Sequence, residues 1–458
     1  MKLRIIHTND VHSQFENLSK AVSVIEPLIN ENTILLEAGD FADFKSIELQ
    51  GTKGKAAVEL LEAVGYEALT IGNNEMFNGM DTLEYMADVS SVPFISNNLL
   101  KADGAHINGL FSSTIIHKER LRILVTGSSP DLRDFNEGLG IRVKDYKTAL
   151  KQEIRRNAGA YDICIVLNHI GTEADETLAE ELPEIDIIIS AHDHNLYKEA
   201  KVVNGVIMNS AGHFAEHVGV VDVEINNNEV QLVDSHNLST DSAKRNEEIL
   251  SILKANKEIA MENLSHPLYY LHRPLWHDVI EENPLTNLIA DGLKEILDCD
   301  LSLMNSGIVN AGLFEYVSEQ KLIEICPSPL NPTVFEVKGK DLLQALEHSL
   351  DSQVCLSDGK GPGFRGKYAG RLHVSGAVVI HNNQKILDVQ IGRERLIEDR
   401  WYTVASSDYL QRGSGYSPLA CNRNESYTPG YIRDVIRTYA ENEVFLEKAF
   451  ENRWVKNI

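Results

Sequence analysis

Lys2-Leu3-Arg4-Ile5-Ile6-His7-Thr8-Asn9-Asp10-Val11-His12 opens the chain and decides how the rest is read. Its apolar centre predicts a short strand, and Asp10-x-His12 follows at the strand's carboxyl end. A carboxylate and an imidazole two residues apart, just past a strand, can both reach one metal ion. Either residue could instead cap a helix. The pair gains meaning from what is repeated downstream.

Four more apolar runs end in residues of the same kind. Leu35-Leu36-Glu37-Ala38-Gly39-Asp40 ends in a carboxylate, which can close a turn or bridge two cations. Thr70-Ile71-Gly72-Asn73-Asn74-Glu75 offers the Asn73 amide oxygen, although Gly-Asn-Asn is also ordinary turn chemistry. Ile165-Val166-Leu167-Asn168-His169-Ile170-Gly171 places His169 at a strand end, where a buried, hydrogen-bonded imidazole is the plainer reading. Ile187-Ile188-Ile189-Ser190-Ala191-His192-Asp193-His194 presents two imidazoles from one strand, with Asp193 as a candidate acceptor behind them. Open α/β sheets gather their sites at the carboxyl ends of strands, so the five ends are expected to converge. Oxygen and imidazole donors without thiolate suit Mn²⁺, Zn²⁺, Fe²⁺ or Co²⁺ and do not select among them.

The chain has 458 residues, too many for one core, so two domains are expected. A net charge of −25 argues against a nucleic-acid groove or an anionic membrane surface as partner. A phosphorylated small molecule would be repelled at long range as well, and its binding needs local cations. Five scattered cysteines without a C-x-x-C spacing suggest reduced thiols and a cytoplasmic setting. The segment after Lys2 and Arg4 is too short for the apolar part of a secretion signal, and no run is long enough to span a membrane.

Residues 1–239 alternate strand-like and helix-like segments and read as an α/β domain, with two packed sheets as one arrangement. Expected strands include Arg4–His7, Thr33–Glu37, Asp162–Leu167, Asp186–Ser190 and a single strand Val202–Met208; a hairpin is expected around Asn226-Asn227-Asn228. Expected helices are Leu18–Asn30, Gly54–Val64, Met80–Val89 and Tyr146–Asn157. Residues 240–262 read as a polar linker helix, and 263–458 as an α+β domain.

The ordered series D-x-H, G-D, G-N, N-H-x-G and H-x-H resembles the calcineurin-like metallophosphoesterases. His7-Thr8-Asn9-Asp10-x-His12 points within them to the 5′-nucleotidase branch, which includes ecto-5′-nucleotidases and periplasmic UDP-sugar hydrolases. The second region resembles that branch's C-terminal domain at Asn283-Pro284-Leu285-Thr286-Asn287-Leu288, Met304-Asn305-Ser306-Gly307-Ile308 and His373-Val374-Ser375-Gly376. The resemblance implies a four-layer sandwich followed by an α+β substrate domain. It implies one metal held by Asp10, His12, Asp40 and His194 and a second held by Asp40, Asn73, His169 and His192. A hydroxide shared by the two ions would attack the phosphorus of a nucleotide-like ester or anhydride.

The sequence departs from the family at the third motif. The family's Gly-Asn-His-Glu-Phe-Asp reads Gly72-Asn73-Asn74-Glu75-Met76-Phe77, so Asn74 stands where the resemblance puts a catalytic imidazole and Phe77 where it puts that imidazole's aspartate. Losing a general acid costs about 10²–10⁴-fold, which predicts a bias toward good leaving groups. His213 and His217 are candidates to fill in, against the plainer reading of solvated loop histidines. A protein that binds nucleotides without hydrolysing them well is the alternative. The substrate residues implied by the resemblance are Asn305, Gly307, Leu330, Tyr409 and Gly413. Leu330 stands in place of one stacking aromatic, and the family's arginines are missing at Glu281 and Val309. Arg365, Arg371 and Arg412 are candidate replacements, or plain surface charge.

Overall fold

The computed structural model describes residues 1–226, 229–361 and 363–457, which form two compact units, Met1–Asn263 and Leu264–Ile458. Residues 227 and 228, at the centre of the expected hairpin turn, lie outside this description. The strands on either side pair antiparallel, with Asn226 opposite Glu229.

With a small antiparallel pair of Leu99–Lys101 and Ile141–Val143 in addition, the first unit is built around two large sheets. One has the order Glu229–Ser239, His217–Asn226, Lys2–Thr8, Thr33–Glu37, Ala68–Thr70, Phe94–Ile95, Leu110–Phe111 among the described residues. The other runs Lys201–Val203, Val206–Asn209, Ile187–Ser190, Ile163–Asn168, Leu121–Thr126, Ser113–Lys118. The strand period of two sends alternate side chains to opposite faces. Leu3, Ile5, Ile34 and Leu36 therefore meet Ile123, Ile165, Leu167, Ile187 and Ile189 in a core between the sheets. Ile6, Leu35 and Leu69 face the helices Phe15–Ile25, Lys55–Val64 and Met80–Val89. Cys164, Val166 and Ile188 face Tyr146–Arg156 and Thr172–Glu181 on the outer side of the second sheet. The result is a four-layer α/β/β/α sandwich. Ile163–Asn168 is buried at all its positions, as a central parallel strand covered on both faces must be. Each fully buried aliphatic side chain contributes about 2–3 kcal/mol.

Two local expectations need correction, and one helix is not expected from the sequence at all. Val202–Met208 is a hairpin of Lys201–Val203 and Val206–Asn209, turning at Asn204 and Gly205, which both have positive φ. That Asn-Gly turn chemistry outweighs the continuous apolar run. The acidic segment Thr172–Glu181 is a helix; its two buried apolar residues, Leu178 and Ala179, are too few for a periodic signal. The helix expected over 240–262 spans Glu247–Ser265. It packs on the first unit, with Asn256 Nδ2 donating to Glu59 Oε2 at 2.7 Å and Asn263 Nδ2 to the Gly51 carbonyl at 2.9 Å.

The second unit centres on the helix Pro284–Ile296. Asn283 caps it by accepting the Thr286 N–H, Pro284 occupies the first turn, and the residues from Pro284 to Leu293 are buried. A five-stranded sheet runs Leu372–Ser375, Leu301–Asn305, Trp401–Ser407, Pro332–Lys338, Asn422–Tyr427 among the described residues. A four-stranded sheet runs Glu394–Arg395, Ile386–Ile391, Ala377–His381, Trp454–Lys456. No helix among the described residues is long and apolar enough to cross a membrane.

Candidate metal centre

Five parallel strand ends deliver the site. Asp10 and His12 follow Lys2–Thr8, and Asp40 follows Thr33–Glu37. Asn73 and Asn74 open the short helix after Ala68–Thr70, His169 follows Ile163–Asn168, and His192 and His194 follow Ile187–Ser190. Parallel register keeps the ends level: His7 lies opposite Leu36 and Asn168 opposite Ser190.

The side chains form two groups. Asp10, His12 and His194 offer ligand atoms within 4.8 Å of one another, and so do Asp10, Asp40 and His169. His12 Nε2 lies 3.0 Å from His194 Nε2 and 3.7 Å from Asp40 Oδ2. His169 Nε2 lies 3.3 Å from Asp40 Oδ2 and 3.8 Å from Asp10 Oδ1. His192 Nδ1 lies 3.0 Å from Asn73 Oδ1, and its ring meets that of His169 edge-on at 5.1 Å. Both carboxylates therefore reach both sides, whereas the sequence suggested this for Asp40 alone. Asp10, Asp40 and His169 form a buried floor, with His192 half-buried and His194 exposed at the mouth.

Two observations fit this cluster to divalent cations. His169 Nε2 is buried with no hydrogen-bond partner, while its Nδ1 pairs with the Ala38 carbonyl at 2.9 Å. An imidazole fixed by one nitrogen, with the other bare beside two carboxylates, is the usual arrangement of a metal ligand. Asp10, His12, Asp40, His192 and His194 also all adopt positive φ. Such strain in non-glycine residues persists only where the surroundings over-determine it, and it collects at functional sites.

The glycines of the motifs provide space. A Cβ on Gly39 would lie 2.7 Å from His169 Nδ1, and one on Gly72 2.2 Å from Asp40 Oδ1. The sequence reading missed what braces these turns. Glu75 accepts the backbone N–H groups of Asp40, Ala42 and Gly72, tying the second motif to the third. Asn9 Nδ2 donates to Asp10 Oδ2 at 3.0 Å and to the Gly212 carbonyl at 2.6 Å. Asp193, suggested as an acceptor behind the imidazoles, instead accepts the Thr172 N–H and hydroxyl. Asn74, at the position of the implied catalytic imidazole, turns inward: its Nδ2 donates to Asp40 Oδ2 at 2.7 Å and lies 3.1 Å from His12 Nδ1. Of the candidate replacements, His213 stacks on His194 at 4.8 Å. His217 begins the strand His217–Asn226.

Comparison with known proteins decides the family. Residues 3–196 match the calcineurin-like phosphoesterase family, and 261–420 match the 5′-nucleotidase C-terminal domain. The metallophosphoesterase YunD of Bacillus subtilis is 30% identical over 95% of this chain and 98% of its own length. A 5′-nucleotidase of Diplobatis ommata is 23% identical over 99% of this chain and 89% of its own. The NAD nucleotidase of Haemophilus influenzae shares the fold with a TM-score of 0.69 at 15% identity, covering 100% of this chain and 98% of that one. The chain is a calcineurin-like metallophosphoesterase with a 5′-nucleotidase C-terminal domain.

Electrostatics in this metallophosphoesterase follow from burial and close carboxylates. Burial lowers the His169 pKa, but the charges of Asp40 and Asp10 outweigh it and raise the value to about 10. Burial likewise raises Asp40, and the neighbouring imidazoles of His169 and His12 pull it below its usual range. Glu75, buried beside Asp40, is raised to about 7.

In the C-terminal domain of the metallophosphoesterase, the residues expected to line a substrate pocket are packed. Asn305 Nδ2 donates to the Ala369 carbonyl at 2.6 Å, and a Cβ on Gly307 would lie 1.9 Å from the Tyr368 carbonyl. Leu330 and Tyr409 are fully buried. Phe364 stacks on Tyr409 with centroids 4.2 Å apart and planes 20° apart. Gly413, at φ +75°, turns the chain against Ala420. Gly361 and Gly363 of the glycine-rich stretch lie against Tyr409 and Leu330.

Proposed function

We propose that this metallophosphoesterase holds two divalent cations in the cytoplasm and hydrolyses a phosphate ester or anhydride of a nucleotide or nucleotide-like metabolite. One observation carries the reading: donor side chains from five strand ends gather in two groups that share Asp10, and in one of them the buried His169 Nε2 has no hydrogen-bond partner. Asp10, His12, Asp40 and His194 would hold one cation, and Asp40, Asn73, His169 and His192 the other. When bound, such a pair lowers the pKa of water and neutralises charge on phosphoryl oxygens.

The chain's own residues do the rest by position. Glu75 pins the backbone that carries Asp40 and Asn73, and Asn74 fixes the Asp40 carboxylate. The Ala38 carbonyl orients His169. Asn74 has no proton to give at neutral pH, so the leaving oxygen departs without help from this position. Anhydrides and aryl or cyclic phosphates are therefore the favoured substrates over simple alkyl esters.

The test is phosphate release with Mn²⁺ across a panel of nucleotides, anhydrides and aryl phosphates, with Asp40→Asn and His192→Ala as controls. Activity in the parent and its loss in both variants supports the proposal. Equal rates in all three proteins would overturn it.

A further inference from the structure

Lys45 stands at the rim of the first ligand group, on a braced turn. Ser13 Oγ donates to the Asp43 carbonyl at 2.9 Å and accepts the Asp43 N–H at 2.8 Å, and the Ser46 N–H closes the turn onto the same carbonyl at 3.1 Å. Asp43 Oδ1 accepts the Lys45 N–H at 2.9 Å. Asp43 Oδ2 lies 2.8 Å from Lys45 Nζ and 3.9 Å from His12 Nδ1. The turn thus ties both the backbone and the ammonium of Lys45 to the motif that carries His12.

Phe214 bounds the ammonium on another side. Its ring centroid lies 5.6 Å from Lys45 Nζ, within the range of a cation–π contact. The same ring meets His12 edge-on at 5.6 Å and lies 6.2 Å from the ring of His194. Its place is fixed: the Phe214 N–H donates to the Asp10 carbonyl at 2.8 Å, its carbonyl accepts Asn17 Nδ2 at 3.1 Å, and its φ is +58°. A bulky side chain holds that left-handed backbone only where the surroundings over-determine it. The Lys45 side chain remains 31% exposed, against 11% for Asp43. An ammonium has three donors, and Asp43 takes one.

We infer that Lys45 binds the substrate's second anionic group, next to the phosphoryl group that is transferred, and that the preferred substrate is a nucleoside diphosphate or a similar anhydride. The inference rests on the phosphohydrolase reading above and narrows it. A net charge of −25 repels such a substrate from afar, so a cation fixed beside the ligand groups decides which anion stays. In a diphosphate the second phosphoryl lies one bridging oxygen from the first. A compact ammonium on a flexible four-carbon stem can reach it as a point charge. An aryl phosphate has no second charge to offer and gains little from Lys45. Both classes leave without a proton from the Asn74 position, so Lys45 separates substrates that leaving-group quality alone does not.

The test compares ADP with 4-nitrophenyl phosphate as substrates of the full-length chain with Mn²⁺, and methylenediphosphonate with orthophosphate as ligands in calorimetric titration. Lys45→Met is expected to lower kcat/KM for ADP by about 10-fold, mainly through KM, and to weaken methylenediphosphonate binding by a similar factor. The aryl phosphate and orthophosphate should lose about 3-fold at most. Lys45→Arg, which keeps the charge, should recover most of the loss on ADP. The side chain is on the surface, so neither change threatens folding. A parent that releases phosphate from neither substrate would overturn the phosphohydrolase reading itself. An active parent whose Lys45→Met variant loses both substrates equally, or loses neither, would overturn the assignment of Lys45 alone.

Discussion

Asn74 Nδ2 donates to Asp40 Oδ2 at 2.7 Å, and the Asn74 backbone N–H donates to Asp40 Oδ1 at 2.8 Å. One residue thus holds both oxygens of Asp40, the carboxylate proposed to serve both cations. Asn74→Ala keeps the backbone bond and removes the side-chain one. Support of this kind behind a ligand is worth about 10–100-fold in metal affinity. The variant is therefore expected to bind Mn²⁺ at least about 10-fold more weakly, as read by metal titration, with a matching rise in the Mn²⁺ needed for half-maximal phosphate release.

Phe77 packs edge-on against Phe135 at 5.1 Å, close to Asn74 in the same short helix. The paired change Asn74→His with Phe77→Asp would place an acid beside the site. Rates on alkyl phosphates such as nucleoside monophosphates are expected to rise by about 10²-fold or more, and rates on aryl phosphates much less, because good leaving groups do not need the proton. Equal changes for both substrate classes would show that the missing acid is not what limits this enzyme.

Gly72 allows the Asp40 carboxylate to approach the third motif, since a Cβ there would lie 2.2 Å from Asp40 Oδ1. Gly72 has φ −89°, so alanine meets no backbone penalty and the clash alone is tested. Gly72→Ala is expected to abolish metal-dependent phosphate release while the chain remains folded by circular dichroism.

The folding of the first unit is expected to depend on pH through Asp186. Burial raises its carboxyl to about 6, and it accepts the Cys164 N–H at 2.8 Å. A carboxyl raised in the folded state costs nothing while both states are protonated, below about pH 4, and destabilises progressively as pH rises through about 6. Two pKa units correspond to at most about 3 kcal/mol. Asp186→Asn keeps an acceptor and removes the charge. Its thermal midpoint should exceed the parent's at about pH 8 and match it near about pH 4.

Phe364 stacks on Tyr409 with ring centroids 4.2 Å apart. Phe364→Ala is expected to lower stability by about 3 kcal/mol, the usual cost of emptying a buried aromatic site. If Phe364 only packs Tyr409 in place, the KM for nucleotides should not rise. A selective increase in that KM over the KM for a base-free phosphate would show the opposite.

How much of this was legible in the sequence follows from where information is local. The candidate ligand residues could be brought together on paper because each follows a strand: Ile165-Val166-Leu167 before His169 is apolar throughout, and period and position together fix which residue lies at the sheet's edge. The braces could not. Glu75 reaches Asp40 and Ala42 across more than thirty residues, and nothing in the local pattern marks such a contact. The inward turn of Asn74 was hidden for the same reason: a substitution shows what chemistry is lost, whereas its new hydrogen bonds depend on Asp40 and His12. That Leu330 and Tyr409 are buried against Gly363 and Gly361 could not be read, because motif position says nothing about contacts from a distant glycine-rich stretch. Arg371 was open between a substrate arginine and plain surface charge, and only packing shows it buried against Trp454.

The central claim is that Asp40 is shared by two bound cations. Equilibrium dialysis of the full-length chain against Mn²⁺, with metal measured by mass spectrometry, tests it most directly. The parent should bind two ions per chain, and Asp40→Ala should lose affinity for both. Loss of a single ion in that variant, or a parent that binds fewer than two, would contradict it.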